Sequence, residues 1–404
     1  MIEDRDRYQK SEKREPQDTE QGIMNVEGKE NFIIGNSLFD IQNRSNLVMK
    51  SIDRLMRQAI AEKIFPGGVL LVSKEGETVF FNAYGVVNLI SQAPVARETI
   101  FDLASLTKPL ATTLAVIRLV QHNQVNLEQH LGQLLPEFER TDKAGVKLKH
   151  LLYHNSGLPD YRPYYKALNG IAKELRREAL RKHLVQEPRI NPIGKTVLYS
   201  DLGFMILAWI VEHVAQRRLD HFVVDEIYQP LKIDHLFFIP HNIKDHRGTV
   251  AATENCPWRR KTLEGQVHDE NAYAVGGIEG HAGLFGNAGD INRLLVELLF
   301  TYHGRRSAGL FEQDLLRQFF KRLPGTDKAL GFDTPSLTGS SCGRRFSQNS
   351  VGHLGFTGTS FWMDLERSVV VILLTNRVHP TRDNERIKQF RPQLHDAVMN
   401  TITS

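Results

Sequence analysis

Ser105 and Lys108 are the two residues best placed by type and spacing for covalent chemistry. They lie three apart in Phe101-Asp102-Leu103-Ala104-Ser105-Leu106-Thr107-Lys108, and Ser105 is the only serine followed by lysine at that distance. An apolar run from Pro109 to Val120 comes next and reads as a helix. Residues three apart on a helix share a face, so hydroxyl and amine can meet. A serine hydroxyl is a poor nucleophile until a base or cation activates it. A lysine held in a partly desolvated pocket can serve. A helix N-terminus also aims backbone N–H groups at developing negative charge. One turn of chain can thus carry a nucleophile, its base and half an oxyanion hole. The alternative is an N-cap serine beside a solvated lysine, since so short a pattern also arises by chance.

A second set, His268, Asp269, Glu270 and His281, invites a metal reading. It lacks a compact ligand spacing such as His-x-x-x-His, so a surface loop or pocket rim is the better account and no metal is expected. No organic cofactor is called for either. Trp209 lies in an apolar helix and reads as core.

The elements that must position these residues are read from periodicity and turn signals. A helix is expected over residues 46–64, then strands over 68–74 and 78–84 joined by Glu75-Gly76. Helical stretches come next over 105–122, 147–153 and 170–183. After the Pro192-Ile193-Gly194 break, a strongly apolar helix runs over 202–216, with Ser200 or Asp201 suited to cap it. Gly276-Gly277 and Gly280-His281-Ala282-Gly283 mark a tight loop, and Asp290 is expected to cap a helix through Leu299. Residues 352–363 and 368–375 read as a second hairpin around Asp364–Arg367, and a last helix is expected over 384–399. Strands at both ends and helices between them predict an α+β sandwich. In it a mainly antiparallel sheet, closed by terminal hairpins, carries a helical insert at about 110–290. Ser105 would lie at the seam, where pockets form. Residues 1–45 read as a disordered or loosely attached tail ahead of one domain over 46–404.

The chain has 404 residues, 51 Lys and Arg against 47 Asp and Glu, and no Lys/Arg block outside the tail, which gives no nucleic-acid signal. No apolar h-region follows the N-terminus, and Glu212 and His213 interrupt the most apolar helix, so neither export nor membrane insertion is expected. Cys256 and Cys342 are far apart and outside any Cys-x-x-Cys pair; free thiols and a cytoplasmic location are the expectation.

Three further segments bear on Ser105: Leu151-Leu152-Tyr153-His154-Asn155-Ser156-Gly157-Leu158-Pro159, Tyr199-Ser200-Asp201-Leu202-Gly203-Phe204, and His353-Leu354-Gly355-Phe356-Thr357-Gly358-Thr359-Ser360. With Phe101–Lys108, their order and spacing resemble the serine β-lactamase-related family of class C β-lactamases, DD-peptidases, D-aminopeptidases and esterases, over roughly residues 47–400. The resemblance implies the β-lactamase/transpeptidase-like fold, with Ser105 as nucleophile, Lys108 as its partner and Tyr199 as proton shuttle. It also implies an oxyanion hole from the backbone N–H groups of Ser105 and Phe356. Asp201 would fill the place of the family's Tyr-x-Asn asparagine, and His353, Leu354 and Gly355 that of its Lys-Thr-Gly strand. His281 would sit on a substrate-facing loop. Tyr153-His154-Asn155 and His281-Ala282-Gly283 are competing matches to the same two patterns. A phenol beside an ammonium is expected to lose its proton more easily, and His353 to titrate between about pH 6 and 7.

The expected function is acyl transfer to water from a small ester, amide or short peptide through a Ser105 acyl-enzyme. The alternatives are a β-lactamase or DD-peptidase, an acyltransferase, and a non-catalytic binding protein on the same fold. Asp201 and Leu354 weigh against efficient β-lactam turnover: a carboxylate only accepts where an amide also donates, and leucine lacks a hydroxyl.

Overall fold

The computed structural model describes residues 50–240, 248–305 and 307–403. The expected tail and the first residues of the helix at 46 lie outside that range. Among the described residues the strands are Gly67–Lys74 (β1), Glu77–Gly85 (β2), Phe101–Asp102 (β3), Leu236–Phe238 (β4), Asn255–Cys256 (β5), Lys261–Thr262 (β6), Leu284–Gly286 (β7), Lys328–Ala329 (β8), Phe332–Asp333 (β9), Ser350–Leu354 (β10), Ser360–Asp364 (β11) and Val369–Thr375 (β12).

The main sheet runs β2-β1-β12-β11-β10-β9-β8 and is antiparallel throughout. The central strands Gly67–Lys74 and Val369–Thr375 are apolar without alternation because both faces are covered. Successive side chains point to opposite faces. Val69, Leu71, Ile372 and Leu374 pack toward the central helical region. Leu70, Val72, Val371 and Leu373 pack with Ile52 and Met56 of the helix at 50–61 and with Phe390, Leu394 and Val398 of the C-terminal helix Ile387–Thr403. Each such side chain contributes about 1.5–3 kcal/mol on burial. The terminal hairpins therefore meet at β1 and β12, as the ends of the sequence suggested, with Leu70 opposite Leu373.

A second sheet, β3-β7-β4, stands at the seam and holds the strand that leads into Ser105. Beyond that strand the chain departs from a plain α-helix. Ala104–Leu106 form a 3-10 turn, Lys108–Thr113 a π-helical turn, and only Leu114–Gln121 is α-helical. Pro109 has no N–H to give to the Ser105 carbonyl, so a regular helix cannot start there.

Three further expectations change. Residues 352–363 are two strands, β10 and β11, rather than one arm of a hairpin. The cap of Ala288–His303 is Asn287, which accepts from the Asp290 N–H at 2.8 Å. Asp290 instead accepts from the backbone of Asp234 and His235, at 3.0 and 2.7 Å. The helix expected over 170–183 lies later, at Arg176–Gln186. No helix among the described residues is long and apolar enough to cross a membrane. Cys256 and Cys342 are free and buried.

Candidate active site

Ser105 sits on a strained turn. Ala104 before it has φ of +47°, a left-handed value rare for a residue with a Cβ. The Asp102 carboxylate accepts the Ala104 N–H at 2.8 Å, and the Thr107 hydroxyl donates to the Ala104 carbonyl at 2.6 Å. Ser105 keeps some exposure while Lys108 is fully buried. Lys108 Nζ donates to Ser105 Oγ at 3.1 Å, to Asp201 Oδ1 at 2.7 Å and to the His281 carbonyl at 3.1 Å. Burial works against its charge, but the Asp201 carboxylate and Tyr199 outweigh it and hold the ammonium well above a lysine's ordinary value. Lys108 is thus a fixed cation, not the free amine base that the sequence suggested.

Tyr199 reaches the same point from the start of the helix Asp201–Ala215. Ser200 caps that helix, its hydroxyl accepting from the Gly203 N–H at 3.3 Å and donating to the Pro159 carbonyl at 2.6 Å. The Tyr199 ring lies 4.8 Å from Lys108 Nζ, between the rings of His154 (4.6 Å) and His353 (5.9 Å). The competing Tyr153 motif thus contributes its histidine. Burial raises the Tyr199 pKa, and Lys108 and Ser105 only partly oppose the rise. The expected easier ionisation is corrected: the phenol stays protonated because desolvation exceeds the pull of the ammonium.

His353 is also corrected. It is 2 % exposed, its Nδ1 donates to the Leu354 carbonyl at 2.9 Å, and burial pushes its pKa down to about 4 despite Asp333. On its outer side β10 pairs with β9 at Gly352, opposite Asp333. Asp333 also holds Lys328 at 2.5 Å, and the Lys328 ammonium lies 5.9 Å from the Tyr199 ring. The sequence singled out neither residue.

Leu354, Gly355 and Phe356 enter the turn between β10 and β11, which is tied to the strand before Ser105. Thr357 and Thr359 hydroxyls donate to the carbonyls of Asp102 and Leu103 at 2.7 and 3.1 Å. A Cβ on Gly355 would meet the Leu103 carbonyl at 2.6 Å, so only glycine allows this approach. Arg377 donates twice to the Phe356 carbonyl, at 2.9 and 2.6 Å. Arg391 donates to the carbonyls of Gly355 and Thr359 at 3.2 and 2.8 Å. These ties join residues more than 250 apart in sequence in the threonine cases. No local pattern announces them.

His281 is buried and its Nε2 lies 2.9 Å from Asp269 Oδ1. Burial opposes its protonation, but Asp269 and then Asp201 raise its pKa. In return His281 draws the Asp269 carboxyl well below its ordinary range against the effect of burial. Asp201, Asp269 and His281 offer ligand atoms within 4.8 Å of one another, a cluster invisible in their spacing. Asp201 already holds the Lys108 ammonium and Asp269 the His281 ring. The backbone N–H of buried His268 donates to the Asp102 carboxylate at 2.6 Å, and its ring stacks on Phe356 at 5.5 Å. Trp209 is core, 5.4 Å from Phe138.

Comparison with known proteins places this arrangement. Residues 52–395 match the family model described as Beta-lactamase. The chain is 32 % identical over 372 residues to the "N-acetylmuramyl-L-alanine amidase" of Bacillus subtilis (strain 168), covering 83 % of each chain. It is 29 % identical over 374 residues to the "Putative D-alanyl-D-alanine carboxypeptidase" of Escherichia coli (strain K12), covering 84 % of each. In fold it resembles "EstCE1, a hydrolase with promiscuous acyltransferase activity", with a TM-score of 0.70 at 22 % identity over 88 % of this chain and 99 % of that one. A serine, a buried lysine and a tyrosine gathered at the seam of such a fold, in a chain matched by the family model over most of its length, make this protein a member of the beta-lactamase family of serine hydrolases.

Proposed function

We propose that the protein hydrolyses an amide or ester through a covalent acyl group on Ser105. The observation that carries this is the Lys108 ammonium held at once by Ser105 and Asp201, beside the Tyr199 ring. With Lys108 fixed as a cation and Tyr199 as a neutral phenol, the proton path is a relay. In one concerted transfer, Ser105 Oγ attacks the carbonyl carbon, its proton passes to the Tyr199 oxygen, and Tyr199 gives its own proton to the nitrogen or oxygen that will leave, so the phenol is neutral before and after. Water repeats the sequence to release the acid. Lys108, bonded to Ser105 Oγ at 3.1 Å, stabilises the negative charge that develops there as the proton leaves. The backbone N–H groups of Ser105 and Phe356 are assigned to the developing oxyanion.

An amide within a cell-wall fragment, of the kind named for the Bacillus subtilis relative, is the substrate class we favour over a D-alanyl-D-alanine carboxyl end. Neutral His353 and apolar Leu354 offer no charged anchor for a terminal carboxylate. A cleft of about 790 Å³ beside the Tyr199 loop, lined by Lys195, Thr196, Val197, Arg322, Thr326 and Asp327, leaves room for the rest of a large substrate. Buried free thiols suit a reducing compartment such as the cytoplasm.

Intact-mass analysis after treatment with a fluorophosphonate tests the reading. One adduct in the wild type, absent in Ser105→Ala, supports it; an adduct that persists in Ser105→Ala moves the nucleophile elsewhere. Turnover of N-acetylmuramyl-L-alanine, a D-alanyl-D-alanine peptide, p-nitrophenyl butyrate and nitrocefin then ranks the substrate classes.

A further inference from the structure

Arg391 is a buried cation without an anionic partner. It is 6 % exposed on the helix Ile387–Thr403, and no carboxylate lies within ion-pair distance of it among the described residues. Its contacts are backbone carbonyls, Gly355 at 3.2 Å and Thr359 at 2.8 Å, and its Nε–H finds no acceptor. Burial and neighbouring Arg377 press its pKa down to about 9, which leaves it charged at neutral pH. An unpaired buried charge is strongly unfavourable, and an apolar side chain of similar size is usually no less stable in such a place. Fold stability alone does not account for an arginine here.

The place where it donates offers a reason. The Gly355 carbonyl and the Phe356 N–H belong to one peptide unit. A cation on the carbonyl oxygen draws electron density from the amide and makes its N–H a stronger donor. We infer that Arg391 is a positioning residue that polarises the Gly355–Phe356 peptide, so that the Phe356 N–H binds a tetrahedral oxyanion more tightly than it binds a ground-state carbonyl. The inference rests on the proposed reading of Ser105 and Phe356. Arg377, bonded to the next carbonyl along, holds the turn in place beside it.

Arg391→Met, Arg391→Gln and Arg391→Lys test this with p-nitrophenyl butyrate as substrate and phenylboronic acid as tetrahedral mimic. Ser105 Oγ adds to the trigonal boron, its proton leaves through Tyr199, and a tetrahedral boronate anion results. In Arg391→Met and Arg391→Gln, kcat is expected to fall about tenfold with KM unchanged, and boronate affinity to fall by the same factor. Arg391→Lys, which keeps the charge, is expected to retain most of both, while the thermal midpoint of Arg391→Met stays level or rises. Wild-type kcat and boronate affinity in Arg391→Gln would overturn the inference. So would equal losses in Arg391→Lys and Arg391→Gln. Loss of fluorophosphonate labelling at Ser105 in the wild type is a separate result, and it would remove the underlying reading as well.

Discussion

Lys108 Nζ lies 2.7 Å from Asp201 Oδ1, with Lys108 fully buried and Asp201 keeping 19 % of its side-chain exposure. Asp201 stands where the resemblance puts an amide, and as a carboxylate it forms an ion pair with Lys108 at the heart of the site. It fixes the protonation state of the residue next to the nucleophile.

Asp201→Asn is expected to break that pair and strand the ammonium. Removing one partner of a buried pair costs about 3–5 kcal/mol, and the residual exposure of Asp201 puts this case at the low end. Urea unfolding should show the loss, and Lys108→Met in the same chain should recover part of it. Burial, now opposed by Tyr199 alone, should also move the Lys108 titration toward the pH range of the kcat/KM profile. An unchanged midpoint and profile would mean that the pair does not set the lysine's charge.

Lys108→Ala and Tyr199→Phe are each expected to lower kcat by about a hundredfold or more, the scale of losing a proton-transfer group. The double variant should be little worse than the worse single, because members of one relay are not additive. Losses that multiply would mean independent roles. Tyr153→Phe should leave kcat near wild type.

His353 should not bend the pH profile of kcat/KM between 6 and 7, since burial holds it neutral down to about pH 4. His353→Gln is expected to keep the wild-type profile shape from pH 5.5 to 8. A wild-type inflection near 6.5 that disappears in this variant would show a solvated imidazole instead.

The His281–Asp269 pair should leave a signature in stability against pH. The folded pKa of His281 is raised, so its contribution is full below the ordinary histidine value and fades as pH rises through the folded one. The folded pKa of Asp269 is lowered, so its contribution is present above the ordinary aspartate value and fades as pH falls through the folded one. The pair should stabilise most between about pH 4 and 6.5. In thermal melts, the gap between wild type and His281→Asn should be widest there and shrink toward pH 9. A gap that is flat across this range would mean that the pair is not ionic.

Much of this protein was legible in the order of its residues. Ser105 and Lys108 announce each other by spacing, Tyr199 by its place between a chain break and a capped helix, and the sheet by apolar runs at both ends of the chain. Spacing is local geometry, and local geometry is what backbone periodicity encodes. The charge states were not legible. Whether Lys108 is base or cation, whether His353 titrates near neutrality and whether Tyr199 ionises easily all depend on desolvation and on charges brought in from elsewhere in the chain. Asp201 reaches Lys108 across 93 residues, Thr357 reaches Asp102 across 255, and Arg391 reaches Gly355 from the last helix. A sequence states which groups exist and which are near neighbours along the backbone. The electrostatic character of the site was decided by the packing that takes water away from those groups and sets distant ones against them.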